Sequence, residues 1–194
     1  MTQTEIMDVL YDCHVLLEGH FQLTSGKHSN RYMQCARLFE HPAESKELCD
    51  ELSEQLRADG LADVDLVVGP AIGGIIMAYQ VAECLGVRNL FAERVDGEMT
   101  LRRGFSVAPG ERVLICEDVV TTGGSVKEVI ALLKKAGAEV IGVASIVDRS
   151  GSTVDFCVPF RALVNVAFDT YEPESCPLCA VGGKAEKPGS RAIR

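Results

Sequence analysis

Residues 113–126, Val-Leu-Ile-Cys-Glu-Asp-Val-Val-Thr-Thr-Gly-Gly-Ser-Val, hold the densest set of groups able to do chemistry. An apolar run of strand character ends in two adjacent carboxylates, Glu117 and Asp118. A hydroxyl- and glycine-rich turn (Thr121, Thr122, Gly123, Gly124, Ser125) then enters the start of a helix. Such a turn offers unpaired N–H groups and the positive end of a helix dipole, which together cradle phosphate. Carboxylates beside it accept hydrogen bonds from sugar hydroxyls or from water held on a hard cation. In an open parallel sheet, ligands bind at this end of the strands. There is no GxxxxGK[ST], and the glycines do not form GxGxxG, so neither a P-loop nor a dinucleotide fingerprint is present. A plain helix cap accounts for the Thr and Ser residues but not for the fixed acidic pair. A second turn, Val-Gly-Pro-Ala-Ile-Gly-Gly-Ile at 68–75, also passes from a strand into a helix through glycines.

These turns need strands to carry them and helices to follow. Ile6, Val9, Leu10, Cys13 and Leu17 are at helical spacing, so a helix is expected over 4–18, closed by Gly19. Residues 20–40 read as short strands and loops. A helix follows His41-Pro42 to about Arg57, with Leu48, Leu52 and Leu56 four apart. Strands are expected at 64–68, 89–93, 112–116, 139–147 and 161–167. Between them lie a helix apolar all round at 74–85, as a buried helix is, and one carrying Val126, Val129, Ile130 and Leu133 and ending at Gly137. Alternating strands and helices predict an α/β fold with a mainly parallel central sheet and helices on both faces. The 194 residues suit one domain with its core at 60–168 and an irregular surface tail at 169–194.

Composition narrows the partners. Hydrophobic residues make up 47% and charged residues 24%, an ordinary globular balance. A net charge of −9 disfavours a nucleic-acid partner. No apolar run is long enough for a membrane helix, and the first residues lack the pattern of an export signal, so the cytoplasm is expected. Of eight cysteines, Cys13, Cys35, Cys49, Cys84, Cys116 and Cys157 stand singly and read as reduced core residues. Cys176 and Cys179 form one CxxC, but the four histidines (His14, His20, His28, His41) all lie far upstream. No second ligand pair is evident, so the motif is read as a plain turn ahead of a zinc or redox role, and no protein-held metal is expected.

Residues 113–125 resemble the PRPP-binding signature of type I phosphoribosyltransferases: four apolar residues, two acidic, two apolar, then T-[TA]-G-[GT]-[ST] (PRPP is phosphoribosyl pyrophosphate). The resemblance implies a parallel core with an N-terminal hood, here residues 1–40. It implies that Thr121, Thr122, Gly123, Gly124 and Ser125, with Val119 and Val120, hold the 5-phosphate, and that Glu117 and Asp118 face the ribose hydroxyls. Mg²⁺ would be held mainly by PRPP and water, and Gly73 would belong to the pyrophosphate loop of residues 68–75.

Other segments resemble the orotate-using branch of the family. Phe21-Gln-Leu-Thr-Ser-Gly-Lys-His-Ser29 is similar to its F-x-L-x-S-G-x-x-S hood segment, and residues 187–191 to the ending of one subgroup. Arg149, closing the strand at 139–147, is where that branch places an arginine on the substrate carboxylate, a match for a guanidinium fork. Thr121 would add a hydrogen bond to the pyrimidine. The polar stretch 94–104 resembles the mobile catalytic loop, making Arg94, Arg102 and Arg103 candidate catalytic residues with Asp118, and implying a homodimer in which the loop serves the neighbouring subunit. The expected reaction joins orotate to PRPP, giving orotidine 5′-monophosphate and pyrophosphate in pyrimidine biosynthesis. The chain departs from the branch at Gly73 and Thr24, where many members carry lysine, and in the loop, where only arginines are available. The alternatives are transfer to a purine or other base, and a non-catalytic PRPP-sensing regulator.

Overall fold

The computed structural model describes residues 1–23 and 25–188. Thr24 and residues 189–191 of the tail motif lie outside the described residues. Helix α1 (Gln3–Asp12) begins with a reciprocal capping box. The Glu5 N–H donates to the Thr2 hydroxyl at 3.2 Å, and the Thr2 N–H donates to the Glu5 carboxylate at 2.7 Å. It stops well before Gly19, against the sequence expectation, because the chain turns at His14 (φ 52°) and pairs as a strand. Strand β1 (Leu16–Gln22) runs antiparallel to β2 (His28–Met33), with Leu16 opposite Met33. The ladder bonds and the burial of both side chains outweigh continued helical spacing.

After a 3₁₀ turn (Cys35–Glu40), Pro42 starts α2 (Pro42–Ala58). Then follow β3 (Leu66–Pro70), α3 (Gly73–Leu85), β4 (Arg88–Val95), β5 (Glu98–Thr100), β6 (Arg112–Val120), α4 (Gly124–Lys135), β7 (Glu139–Asp148) and β8 (Phe160–Asn165). The main sheet has the order β5-β4-β3-β6-β7-β8 and is parallel except for the β4–β5 hairpin. Two strands are longer than the apolar runs suggested. The third takes in Gly69-Pro70, and β6 continues through Glu117 and Asp118 to Val120, so the acidic pair sits within the strand.

Alternation along the strands builds two cores. Val67, Leu114, Cys116, Ala144 and Ile146 point to one face, under α1, α2 and α3; Leu66, Val68, Val113, Ile115 and Val143 point to the other, under α4. Each fully buried Leu or Val contributes about 1.5–3 kcal/mol relative to exposure, and this two-sided burial is what fixes the strand ends. Helix α3 is not buried all round: Ile76 and Tyr79, with Ile72 just before it, are exposed (46%, 63% and 85%). Cys157 is exposed and Cys84 half-buried, so two of the six single cysteines are not core residues.

The tail is more ordered than its composition suggested. It supplies β9 (Thr170–Tyr171), which pairs with β2 to complete a three-stranded hood sheet. A 3₁₀ turn (Pro173–Ser175) and the short helix α5 (Pro177–Ala180) follow.

Candidate active site

Strands β3 and β6 are parallel neighbours, with Leu66 opposite Val113 and Val68 opposite Ile115. Their carboxyl ends therefore carry the two glycine turns side by side. The contact between them is close. A Cβ at Gly73 would lie 2.5 Å from both carboxylate oxygens of Asp118, and one at Gly74 would lie 2.8 Å from the Cys116 carbonyl. The first turn of α3 is thus pressed directly onto the acidic pair. A side chain at Gly73 would require the Asp118 carboxylate to shift.

Asp118 is buried and Glu117 largely so. Burial, first, and then the neighbouring Asp118 charge push the Glu117 carboxyl up to about 9. Burial also raises Asp118, opposed by the hydrogen bond it shares with Glu117. Both carboxyls are thus biased towards the protonated form, as expected for two acids in one low-dielectric site. A cation or a set of hydroxyl donors relieves that strain by favouring the ionised form.

Beyond the pair, the chain turns at Gly123 (φ 70°), where a Cβ would come within 2.7 Å of Val154 and 2.8 Å of Phe156. Only glycine satisfies both demands. Helix α4 starts here with no side-chain cap, leaving its first N–H groups to face an open cleft of roughly 220 Å³. Glu117, residues 119–126, Arg94 and Glu128 line it. Val119 and Val120 enter by their place at the strand end, whereas Thr121, Thr122 and Gly124 are exposed towards it.

Arg149 sits one strand over. Its backbone N–H donates to the Val120 carbonyl at 2.7 Å, bringing Thr121 and Arg149 to adjacent strand ends. The guanidinium lies 4.3 Å from the ring centroid of Phe168. Burial lowers its pKa, and Tyr32 and Cys35 of the hood are near enough to act on it electrostatically. Among the described residues no carboxylate forms an ion pair with Arg149. A half-buried arginine stacked but unpaired is a ready partner for an incoming carboxylate. The role of Phe168 carried no signal in the sequence.

The arginines of residues 94–104 divide into two groups. Arg94 reaches the cleft, donating to Glu128 at 2.9 Å and to the Gly97 carbonyl at 2.8 Å. Arg102 and Arg103 do not line it. Both face Glu93, at 3.9 Å and 3.2 Å, and Arg103 lies 5.6 Å from the centre of the Phe91 ring. The polar stretch begins as the β4–β5 hairpin, turned by Asp96 and Gly97 at positive φ.

One expectation about metal ligands is overturned. His20 and His28, distant from the CxxC in sequence, converge with Cys176 and Cys179, and their four donor atoms lie within 4.8 Å of one another. Separation along the chain gave no hint, because the hood sheet folds the N-terminus against the tail.

The phosphoribosyl transferase domain family model matches residues 36–156. The chain is 57% identical over 189 residues to a Thermotoga maritima protein named orotate phosphoribosyltransferase, covering 97% of this chain and 100% of that one. It is 52% identical over 193 residues to one so named from Desulforamulus reducens, covering 100% of each. The crystal structure of orotate phosphoribosyltransferase from Aeropyrum pernix superimposes with a TM-score of 0.69 at 25% identity, over 83% of this chain and 93% of that one.

Proposed function

Because the chain belongs to the phosphoribosyl transferase family, we propose that it transfers the phosphoribosyl group of PRPP to orotate, releasing orotidine 5′-monophosphate and pyrophosphate. The observation that carries this reading is the Glu117–Asp118 pair between Gly73 and the uncapped start of α4, one strand from the guanidinium of Arg149, which has no ion-pair partner among the described residues. The backbone of Thr121 to Ser125 holds the 5-phosphate, with Val119 and Val120 as the floor. Glu117 and Asp118 accept hydrogen bonds from the ribose hydroxyls. Arg149 grips the orotate carboxylate and Thr121 the pyrimidine edge. The C1′–oxygen bond to pyrophosphate breaks and a C1′–N bond to the base forms, through a centre with oxocarbenium character. Asp118 steadies the ribose as that charge develops. Arg94 on the cleft wall, and Arg102 and Arg103 once released from Glu93, supply positive charge to the departing pyrophosphate.

The hard oxygens of the buried acidic pair suit Mg²⁺, reached directly or through its water. When bound, Mg²⁺ neutralises charge on the pyrophosphate. The exposed stripe Ile72, Ile76 and Tyr79 beside the pyrophosphate loop supports a homodimer in which the loop of one copy serves the other. The cytoplasm is the proposed compartment, consistent with the free thiols. No helix among the described residues is long and apolar enough to cross a membrane.

Steady-state assays with PRPP and Mg²⁺ across orotate, uracil and purines test the reading. Turnover is expected with orotate and is lost on chelation. Turnover of a purine but not orotate, or nucleic-acid affinity without turnover, rejects it.

A further inference from the structure

We infer that His20, His28, Cys176 and Cys179 form a structural zinc site that fastens the C-terminal tail to the hood. The donor atoms are His20 Nε2, His28 Nδ1 and the two sulfurs. His20 Nε2 lies 2.9 Å from His28 Nδ1, 3.6 Å from the Cys176 sulfur and 3.7 Å from that of Cys179; the latter sulfur is 3.3 Å from His28 Nδ1. A tetrahedral Zn²⁺ with Zn–N of about 2.05 Å and Zn–S of about 2.3 Å sets its ligands about 3.3 Å (N to N), about 3.6 Å (N to S) and about 3.8 Å (S to S) apart. Two of the nitrogen–sulfur distances match, and the third, from the Cys179 sulfur to His28, is shorter. The nitrogen pair is closer than that, at hydrogen-bond distance.

The side chains do nothing else. Among the described residues, the polar contacts of the His20 ring are all to members of this cluster, and its Nδ1 is buried with no partner. Cys176 and His28 are buried (3% and 8% exposed). A simple turn at the end of a chain gives no reason to set two thiols, one buried and one half-buried, against two imidazoles. The backbone is shaped to bring them there. A register shift between Glu18 and Phe21 re-aims His20, and a Cβ at Gly183 would come within 3.2 Å of His20 Nδ1. The chain leaving the cluster then returns along β1: the Glu186 N–H donates to the His20 carbonyl at 2.8 Å, and the Gln22 N–H donates to the Glu186 carbonyl at 2.7 Å.

The hood explains the need. Its sheet has three strands, one of them only two residues long, so it is little more than a two-stranded hairpin, which alone is marginally stable. An ion bridging residues 20 and 28 to 176 and 179 closes a long loop and couples metal binding to folding of the hood. Two cysteine thiols and two neutral imidazoles bind the ion with loss of two protons, giving a site of zero net charge and no redox change.

The test uses the full-length untagged protein, purified without chelator under reducing conditions, loaded with Zn²⁺ and desalted. About one zinc per chain is expected by elemental analysis, with that stoichiometry lost in the C176S/C179S double variant. Co²⁺ in place of Zn²⁺ should give tetrahedral ligand-field bands and a thiolate charge-transfer band. Stripping the metal from the wild-type protein with a chelator should lower its melting temperature, which keeps the test open if the variants do not fold. Wild-type protein that retains no more zinc than the double variant, or that shows a Cys176–Cys179 disulfide in place of bound metal, overturns the inference. None of these readouts involves PRPP or orotate, so the site stands or falls apart from the proposed reaction.

Discussion

The cleft at the start of α4 and the Cys–His cluster are assembled in opposite ways. The cleft comes from a continuous stretch, Glu117 to Val126, joined by one neighbouring turn and one neighbouring strand. The cluster joins residues up to 159 positions apart. The difference follows from what does the binding. A phosphate held by backbone N–H groups needs successive residues in one conformation, so its site must be local. A metal held by side chains needs only four tips, and the fold brings these from anywhere. The cleft therefore answers to backbone changes, and the cluster to side-chain chemistry.

The largest effect that tests this contrast is a backbone one. Gly73→Val places a Cβ on Asp118 and should weaken PRPP binding by about 100-fold, or about 2.7 kcal/mol, measured by calorimetry with Mg²⁺. Unchanged affinity would show that the two turns act independently. Next is Arg149→Ala, which removes a charge-assisted contact of about 1.5–3 kcal/mol. The KM for orotate should rise by about 10- to 100-fold, with PRPP affinity little moved; equal loss for both substrates ends the carboxylate argument.

The acidic pair yields a pH prediction. Glu117 is raised to about 9 in the folded protein, so between its ordinary value and that point the native state holds more protons than the unfolded chain. Stability of the ligand-free protein should accordingly fall as pH rises across this window, and Glu117→Gln should flatten the fall. Binding of Mg²⁺ and PRPP selects the ionised pair, so it should release protons, seen as a dependence of the calorimetric enthalpy on buffer. A melting temperature that rises with pH in the same window, or binding without proton release, contradicts the raised Glu117 carboxyl. The smallest effect is expected at Arg103→Ala. Its pairing with Glu93 is solvent-exposed, so stability should change by less than about 0.5 kcal/mol while turnover drops; a large melting shift would mean the loop is structural.

Much of this was readable beforehand for a definite reason. Strand and helix periods in 60–168 are strong because each element is buried along one or both faces, and the motif at 113–125 is continuous. Misreadings lie where tertiary contacts override local pattern. Leu16 and Leu17 continue the spacing of α1 but belong to a strand, because β2 offers them a ladder and Met33 a packing partner. The all-apolar α3 suggested full burial, yet Ile76 and Tyr79 are left open since only one side of the helix meets the sheet. Phe168 under Arg149 could not be anticipated, as nothing in its neighbours marks it.

By itself, the order of residues determined the α/β layering, the glycine turns and the position of the acidic pair, because these depend on interactions within a few residues and on a two-fold alternation. Only the tertiary structure decided that a side chain at Gly73 would meet the Asp118 carboxylate, that Arg149 lacks a counter-charge among the described residues, and that two histidines meet two cysteines. Each of those depends on which segments pack together, a property of the folded chain's long-range contacts that no local spacing encodes.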